Sequence, residues 1–486
     1  MKWIYILLSA FVFFSCNRTI PDGKSLDVLP PVFPDYVGVT IPANIAPLNF
    51  KVLDKNGKVC VVFTFADNRI IVYGNDGKIK IPESDWKKLL NDAVGQSVNV
   101  DVYAMESGEW LKYKPFDVKV AVEPMDPYIA YRLIEPGYTL WGKMGIYQRH
   151  LESFKQTAIM ENKMTGNNCM NCHSFRMQDP DQMLFHLRET FPGTIVVKGD
   201  KIEKLNTKTD KTPSFLVYPS WHPDGRFVAF SVNVTKQSFH MNHPNRIEVY
   251  DEESDVVVYD TETHEIISSP LLFSKDRWET FPTFSPDGRT LYFCSAEPQK
   301  IVEFEKIKYS LCSVSFDPST RRFGDVVDTL YNAATEGKSV SFPRVSPDGK
   351  YLLYTLSDYG NFSIWHKDAD LYLYDLTNKT NRALDEVNSN DVESYHSWSS
   401  NSRWIVFSSR RIDGLYTRPY FAYIDDEGRA GKPFLLPQKD VDFYHTFMKS
   451  YNIPEFIKGK VDISKFNLSQ IIKKDPGIDV KFGADF

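Results

Sequence analysis

A phrase built on Pro-Asp-Gly returns through the second half of the chain, and no other feature limits the fold as much. It reads Tyr218-Pro219-Ser220-Trp221-His222-Pro223-Asp224-Gly225-Arg226, then the apolar run Phe227 to Ser231. It is echoed by Phe281-Pro282-Thr283-Phe284-Ser285-Pro286-Asp287-Gly288-Arg289 and by Phe342-Pro343-Arg344-Val345-Ser346-Pro347-Asp348-Gly349-Lys350. A degenerate copy is Tyr395-His396-Ser397-Trp398-Ser399-Ser400-Asn401-Ser402-Arg403. In each good copy proline sets the first turn position, aspartate caps the turn, glycine takes the positive dihedral, and an apolar run leaves as a strand. That strand is apolar on both faces, so both must be covered, which sheets stacked around an axis achieve. A second strand follows, as in Asp255 to Asp260 and Asp370 to Asp375. Copies begin at Pro219, Pro282, Pro343 and His396, spacings of 63, 61 and 53 residues. A plain propeller blade takes roughly 40 to 45, so long loops are inserted.

The phrase resembles the repeat of TolB-type β-propellers. That resemblance implies a propeller over residues 192–450 and is nearly silent on function. Adding the hairpin-like stretch Gly193 to Leu205 and the segment after Tyr416 gives five or six blades, with a seven-bladed ring left open. Upstream, residues 48–125 alternate in period two between the turns Asn56-Gly57, Asn75-Asp76-Gly77 and Ser107-Gly108. This predicts a small β-sandwich with one helical piece, Ser84 to Ala93. Residues 126–191 have few β-branched runs and predict a short, partly helical segment, including a helix from Pro180 to Glu189 capped by Asp179. Residues 451–486 read as a C-terminal tail.

The N-terminus points to export. Trp3 to Phe14 is an apolar run that suits a signal-peptide core and is too short for a bilayer about 30 Å thick. Phe14-Ser15-Cys16 then places a small residue before a cysteine. Residues 1–16 are therefore expected to be a lipoprotein signal peptide with Cys16 lipidated, a plain secretory signal being the alternative. Residues 17–47, rich in proline, read as a tether. No acidic run follows Cys16, which favours a periplasm-facing protein anchored by lipid to the outer membrane. With 57 Lys plus Arg against 63 Asp plus Glu and no basic block, nucleic acid is an unsuitable partner.

The chemical signal is Cys169-Met170-Asn171-Cys172-His173, the C-x-x-C-H attachment string of a c-type haem. Two intervening residues let both thiols meet the vinyl groups of one porphyrin, and the histidine follows as the proximal iron ligand. A disulfide oxidoreductase, half of a zinc site and a structural disulfide are the competing readings. The second axial ligand is not written in the motif. His186, on the expected helix, is the first candidate and Met183 its rival. Met160, Met164, Met177, His150, His222, His240 and His396 follow. His222 and His396 replace Ser and Pro of the other copies, at turns expected to share one rim. Arg410, with Arg411 and Arg418, is a candidate for an anion or a haem propionate. Asp251 to Asp255, and Asp368 with Asp370, are better read as solvated faces than as cation sites. Cys60, Cys294 and Cys312 lie on strand-like runs as small buried hydrophobes.

The expected fold class is thus all-β: an N-terminal β-sandwich, a short partly helical haem-binding segment, then a TolB-like propeller. The abundance of aromatics, 34 Phe, 26 Tyr and 9 Trp, agrees. The whole is similar to haem-bearing, TolB-like propeller lipoproteins of Bacteroidota. The expected cofactor is covalent haem c, and the expected partner is an envelope redox partner or another envelope protein. Three functions stay open: electron transfer, a periplasmic haem enzyme acting on a small molecule, and a non-redox TolB-like binding or scaffolding protein.

Overall fold

The computed structural model describes residues 19–135 and 142–483. The expected signal segment and Cys16 lie outside the described residues. No helix among the described residues is long and apolar enough to cross a membrane.

The chain is all-β. Among the described residues, six sheets of four or five strands stand side by side, and their inner strands touch in a closed ring. In order around the ring, those inner strands are Cys169–Phe175, Leu216–Trp221, Trp278–Phe284, Ser339–Val345, Glu393–Trp398 and Ser450–Ile457. The first five each begin a sheet that runs outward by antiparallel hairpins. In the sixth, Ser450–Ile457 pairs with Tyr128–Ile134, from the other end of the chain, and Gly145–His150 and Gln156–Glu161 follow outward. A ladder between distant segments thus closes the ring.

The repeated turn works as its sequence suggests. In the third sheet Asp287 Oδ1 accepts from the backbone N–H of Arg289 at 3.0 Å, and Gly288 has φ of 73°. The serine before it forms a second brace: Ser285 Oγ donates to Asp287 at 2.5 Å and accepts from Thr290 N–H at 3.0 Å. The same pair of bonds recurs at Ser346 and at Ser399. Gly288 has no substitute, because a Cβ there would stand 2.1 Å from the His222 ring.

Four expectations need correction. The helix over Pro180 to Glu189 is instead the strand Gln182–Arg188, paired on both sides. Asp179-Pro180 starts a turn, with Asp179 Oδ1 accepting from Asp181 N–H at 3.0 Å. Asp-Pro suits helix starts and turns alike, and two available neighbours decide for the strand. Residues 126–191 are accordingly mainly strand where described: they supply three strands of the sixth sheet and two of the first, with short 3-10 turns at Asn162–Thr165 and Arg176–Gln178. From about residue 30 on, the expected tether is packed, with Val39 and Ile41 buried and Thr40–Pro42 paired to Phe116–Ala121. The expected tail holds the closing strand, the helix Lys465–Lys474, and short strands that extend the first and second sheets at their edges.

The N-terminal sheets begin earlier than residue 48, with Lys24–Ser25, Val32–Phe33 and Thr40–Pro42 among their strands. A seven-stranded and a three-stranded sheet pack with the helix Glu83–Asp92, whose Trp86, Leu89 and Leu90 are buried. These sheets join the fifth sheet of the ring through one apolar core, and Trp404 Nε1 donates to Glu123 O at 2.9 Å.

Phe456, fully buried in the closing strand, tests the closure. Phe456→Ala is expected to remove about 3 to 5 kcal/mol, read as a lower urea midpoint. An unchanged midpoint would show that the ring does not depend on this ladder.

Candidate functional site

Each of the six inner strands carries one extra residue at the same height, a bulge beside a non-glycine residue at positive φ. Those residues are Cys172, Tyr218, Phe281, Phe342, Tyr395 and Ile453, with φ between 48° and 52°. The next residue is His173, Pro219, Pro282, Pro343, His396 or Pro454. Cys172-His173-Ser174-Phe175 is therefore a copy of the repeat, aligned with Tyr395-His396-Ser397-Trp398, and Ile453-Pro454-Glu455-Phe456 is another. A bulky residue at positive φ ordinarily suggests a functional strain. Six in a ring make it an architectural device, so only the side chain distinguishes Cys172.

Four of these residues meet ring to ring at the axis. Centroid distances are 4.6 Å for Tyr218 to Phe281, 4.0 Å for Phe281 to Phe342 and 4.9 Å for Phe342 to Tyr395. Cys172 is the smallest member of this collar, and a cavity opens beside it. It offers about 140 Å³ of space to water-sized groups and opens to solvent at one end. Its lining includes Cys172, His173, Met177, Gln178, Arg344, His396 and Glu455, with walls from Phe342, Tyr395, Trp221 and Trp398.

His173 is 2% exposed, and neither of its ring nitrogens has a hydrogen-bond partner. Burial, reinforced by the nearby Arg132 charge, pulls its pKa down to about 3, so it is a neutral imidazole. Cys172 is 3% exposed, and burial raises its thiol pKa. His396, 3% exposed, donates from Nε2 to Leu353 O at 3.0 Å and leaves Nδ1 without a partner. Burial lowers it too to about 3. Glu455 accepts from Phe175 N–H at 3.0 Å, and burial pushes its pKa up to about 8, so it is uncharged near neutral pH. Arg344 is the cation of the wall.

The cavity sorts the sequence candidates. Cys172 and His173 line it, whereas Cys169, half-buried, lies outside it against the apolar core between the sixth and first sheets. His186 is also outside. It lies on Gln182–Arg188 opposite Asn171, its Nδ1 3.2 Å from Thr194 Oγ1 and its ring 5.5 Å from Phe215. Met183 and Met160 belong to the apolar core between the sixth and first sheets. Met177 and His396 are the two candidates sharing the cavity with His173. His150 and His240 are held elsewhere, by Ser153 and Tyr250. His222 is not on a common rim with His396: it packs against Phe284 at 4.8 Å and bonds Gly288 O at 2.9 Å.

Arg410 bonds Ile364 O at 2.9 Å and covers the Trp365 ring, Arg411 pairs with Glu393 at 2.8 Å, and buried Arg418 caps Phe447 O at 2.8 Å. These arginines are structural. Asp251 is no solvated face either, being buried and accepting from Asn233 and Tyr309 at 2.8 and 2.7 Å. Among the described residues no group of three or more His, Cys, Asp or Glu is placed to hold a metal ion. Arg344 and Glu455 were missed in the sequence, although each stands where the aligned copies carry Ser or Thr.

No family model and no curated protein matches the chain. Among solved structures, apo prolyl oligopeptidase B from Galerina marginata is 10% identical with TM-score 0.36, over 63% of this chain and 44% of that one. Porphyromonas gingivalis dipeptidyl peptidase 4 is 12% identical with TM-score 0.30, over 69% of this chain and 51% of that one. A DUF4784 family protein from Bacteroides caccae is 9% identical with TM-score 0.29, over 74% and 96%. The chain spans about half the length of these peptidases, and likeness this distant brings no chemistry with it.

His396 allows a pH test. Its folded pKa of about 3 lies below the unfolded value of about 6.5. Its contribution to stability is therefore complete above about pH 6.5 and is lost as pH falls toward 3, by up to about 1.4 kcal/mol per unit. Urea midpoints of His396→Phe should accordingly fall less steeply than those of the parent chain between about pH 7 and about pH 4.5. Parallel slopes would contradict a buried neutral imidazole.

Proposed function

We propose that this chain is an exported, periplasm-facing lipoprotein, anchored through Cys16, that carries one covalent haem c in its axial cavity and relays electrons to a redox partner of the envelope. On this reading the six sheets are the blades of a TolB-like propeller, which serves as the docking platform. The observation that carries it is the pair of unpartnered nitrogens on buried His173. His396, at the equivalent place in the fifth sheet, bonds the Leu353 carbonyl of the sheet before it. His173 has only a poorly formed contact with the Ile453 backbone of the sixth sheet, and a buried polar atom left without a good hydrogen bond costs about 1 to 3 kcal/mol. A neutral imidazole in that state is what an iron ligand requires.

Cys172 and His173 fit a haem c, since a thiol and an imidazole face the cavity, whereas Cys169, the second thiol of the motif, lies outside it and would have to turn toward the axis. Bound there, the group supplies a one-electron couple at its iron. His173 would ligate the iron, and Met177 and His396 replace His186 as candidates for a further ligand, because they line the same cavity. Tyr218, Phe342, Tyr395 and Trp398 keep water out and the local dielectric low, the protein's means of setting a potential. A second reading, a periplasmic haem enzyme acting on a small molecule, is favoured by Arg344 and His396, polar groups with bonding capacity to spare in the cavity wall.

The test is the pyridine haemochrome spectrum of protein made in a host with c-type maturation. Wild type should carry covalent haem and Cys172→Ala should lose it. Cys169→Ala should retain a singly attached haem whose band lies at longer wavelength, since one vinyl group stays unreacted. In His173→Gly, added imidazole should restore the ligated spectrum. Wild-type protein without covalent haem would overturn both redox readings and leave a binding propeller.

A further inference from the structure

Two residues after each collar position comes a second ring around the cavity: Ser174, Ser220, Thr283, Arg344, Ser397 and Glu455, one from each sheet. Its hydroxyls knit neighbours together. Ser397 Oγ donates to Pro454 O at 3.0 Å, and Ser220 Oγ accepts from Phe284 N–H at 3.4 Å. Glu455 holds the Phe175 amide. Arg344 joins nothing in this way. Its Nη1 donates to Pro343 O at 3.0 Å, and the rest of its fork meets no protein acceptor and no ion-pair partner among the described residues. Burial pulls its pKa down, opposed chiefly by Glu455, yet a guanidinium keeps its charge.

Arg344 is half-buried, so its fork meets the cavity as a partly desolvated cation that an anion would stabilise. In ring order Arg344 stands three sheets from His173, directly across the axis, and nearby walls are flat rings. The unpartnered Nδ1 of buried His396 lines the same space.

We propose that Arg344 is the carboxylate receptor of the axial cavity, which takes a flat aromatic body bearing a carboxylate. The body lies against Phe342, Tyr395 and Trp398, and the planar fork of Arg344 grips the carboxylate in two places. Two sources share that chemistry: a propionate of haem c and a free aromatic monocarboxylate. The inference rests on the axial cavity being the site, and it needs the haem only for the first source.

Chain made with and without c-type maturation is titrated with benzoate and with benzamide, its uncharged isostere, following the tryptophan fluorescence of Trp221 and Trp398. In haem-free chain benzoate should bind at least about tenfold more tightly than benzamide. Arg344→Gln should erase the preference and Arg344→Lys keep part of it, both with parental melting temperature. If a propionate holds Arg344, haem-loaded chain should no longer bind benzoate, and Arg344→Gln should shift its midpoint potential at unchanged haem content. Equal binding of benzoate and benzamide overturns the proposal. So does an Arg344→Gln variant that matches the parent in both benzoate affinity and potential. Failure of the haem reading alone looks different: no covalent haem, with the benzoate preference intact.

Discussion

The ladder between Ser450–Ile457 and Tyr128–Ile134 is the bond on which the rest of the molecule depends. Joining segments so far apart in the chain carries a loop-closure cost that local hairpins avoid. Burial offsets it, since Ile129, Phe456 and Ile457 are fully enclosed on this ladder. Once closed, the ring has no free inner edge, and the six bulged strands are held at one height. The helix Lys465–Lys474 and the last two short strands then fasten the C-terminus to the outer edges of the first two sheets. Neither the collar nor the cavity exists before this closure, because each is assembled from single residues of six different sheets.

At the axis, electrostatics follows from burial. His173 and His396 are neutral because desolvation disfavours their charged forms, and Glu455 is protonated near neutral pH for the same reason. Arg344 cannot take that route. Three groups relax by changing protonation while one cannot, so the cavity wall is left with a positive charge and several unfilled hydrogen-bonding positions. Aromatic rings line the remainder, a mixture suited to a ligand that is mostly flat and apolar with one anionic end.

Much of this was legible in the sequence, and what was missed has physical causes. The Ser-Pro-Asp-Gly copies announced the hairpins because turn chemistry is local: Ser285, Asp287 and Gly288 satisfy one another within four residues. The helix Glu83–Asp92 and the buried strand positions of Cys294 and Cys312 were readable for similar reasons. Two copies of the repeat went unseen because their marker residues differ: Cys172-His173 reads as haem chemistry before it reads as a strand bulge, and Ile453-Pro454-Glu455 has lost its aromatic. Gln182–Arg188 carried a helix-like start that hairpin pairing with the strands before and after it overrode. Met177 and His396, rather than His186, share the cavity with His173, which no periodicity within one segment reveals. Arg344 needed all six inner strands aligned before it stood out.

The bulge at Cys172-His173 explains how a C-x-x-C-H string can also be a copy of the strand repeat. On a regular strand, residues i and i+3 face opposite sides, so C-x-x-C would divide its thiols between the two flanks of the sheet. The bulge adds one residue between Asn171 and Ser174 and turns Cys172 into left-handed backbone, held by Asn171 Oδ1 accepting its N–H at 3.0 Å. The same irregularity that elsewhere aims Tyr218 or Phe342 at the axis therefore aims a thiol there, with an imidazole as the next residue. A helix would place the two cysteines together without help. Here the ring's own bulge delivers one of them, and the first sheet needs no backbone feature that the other five lack.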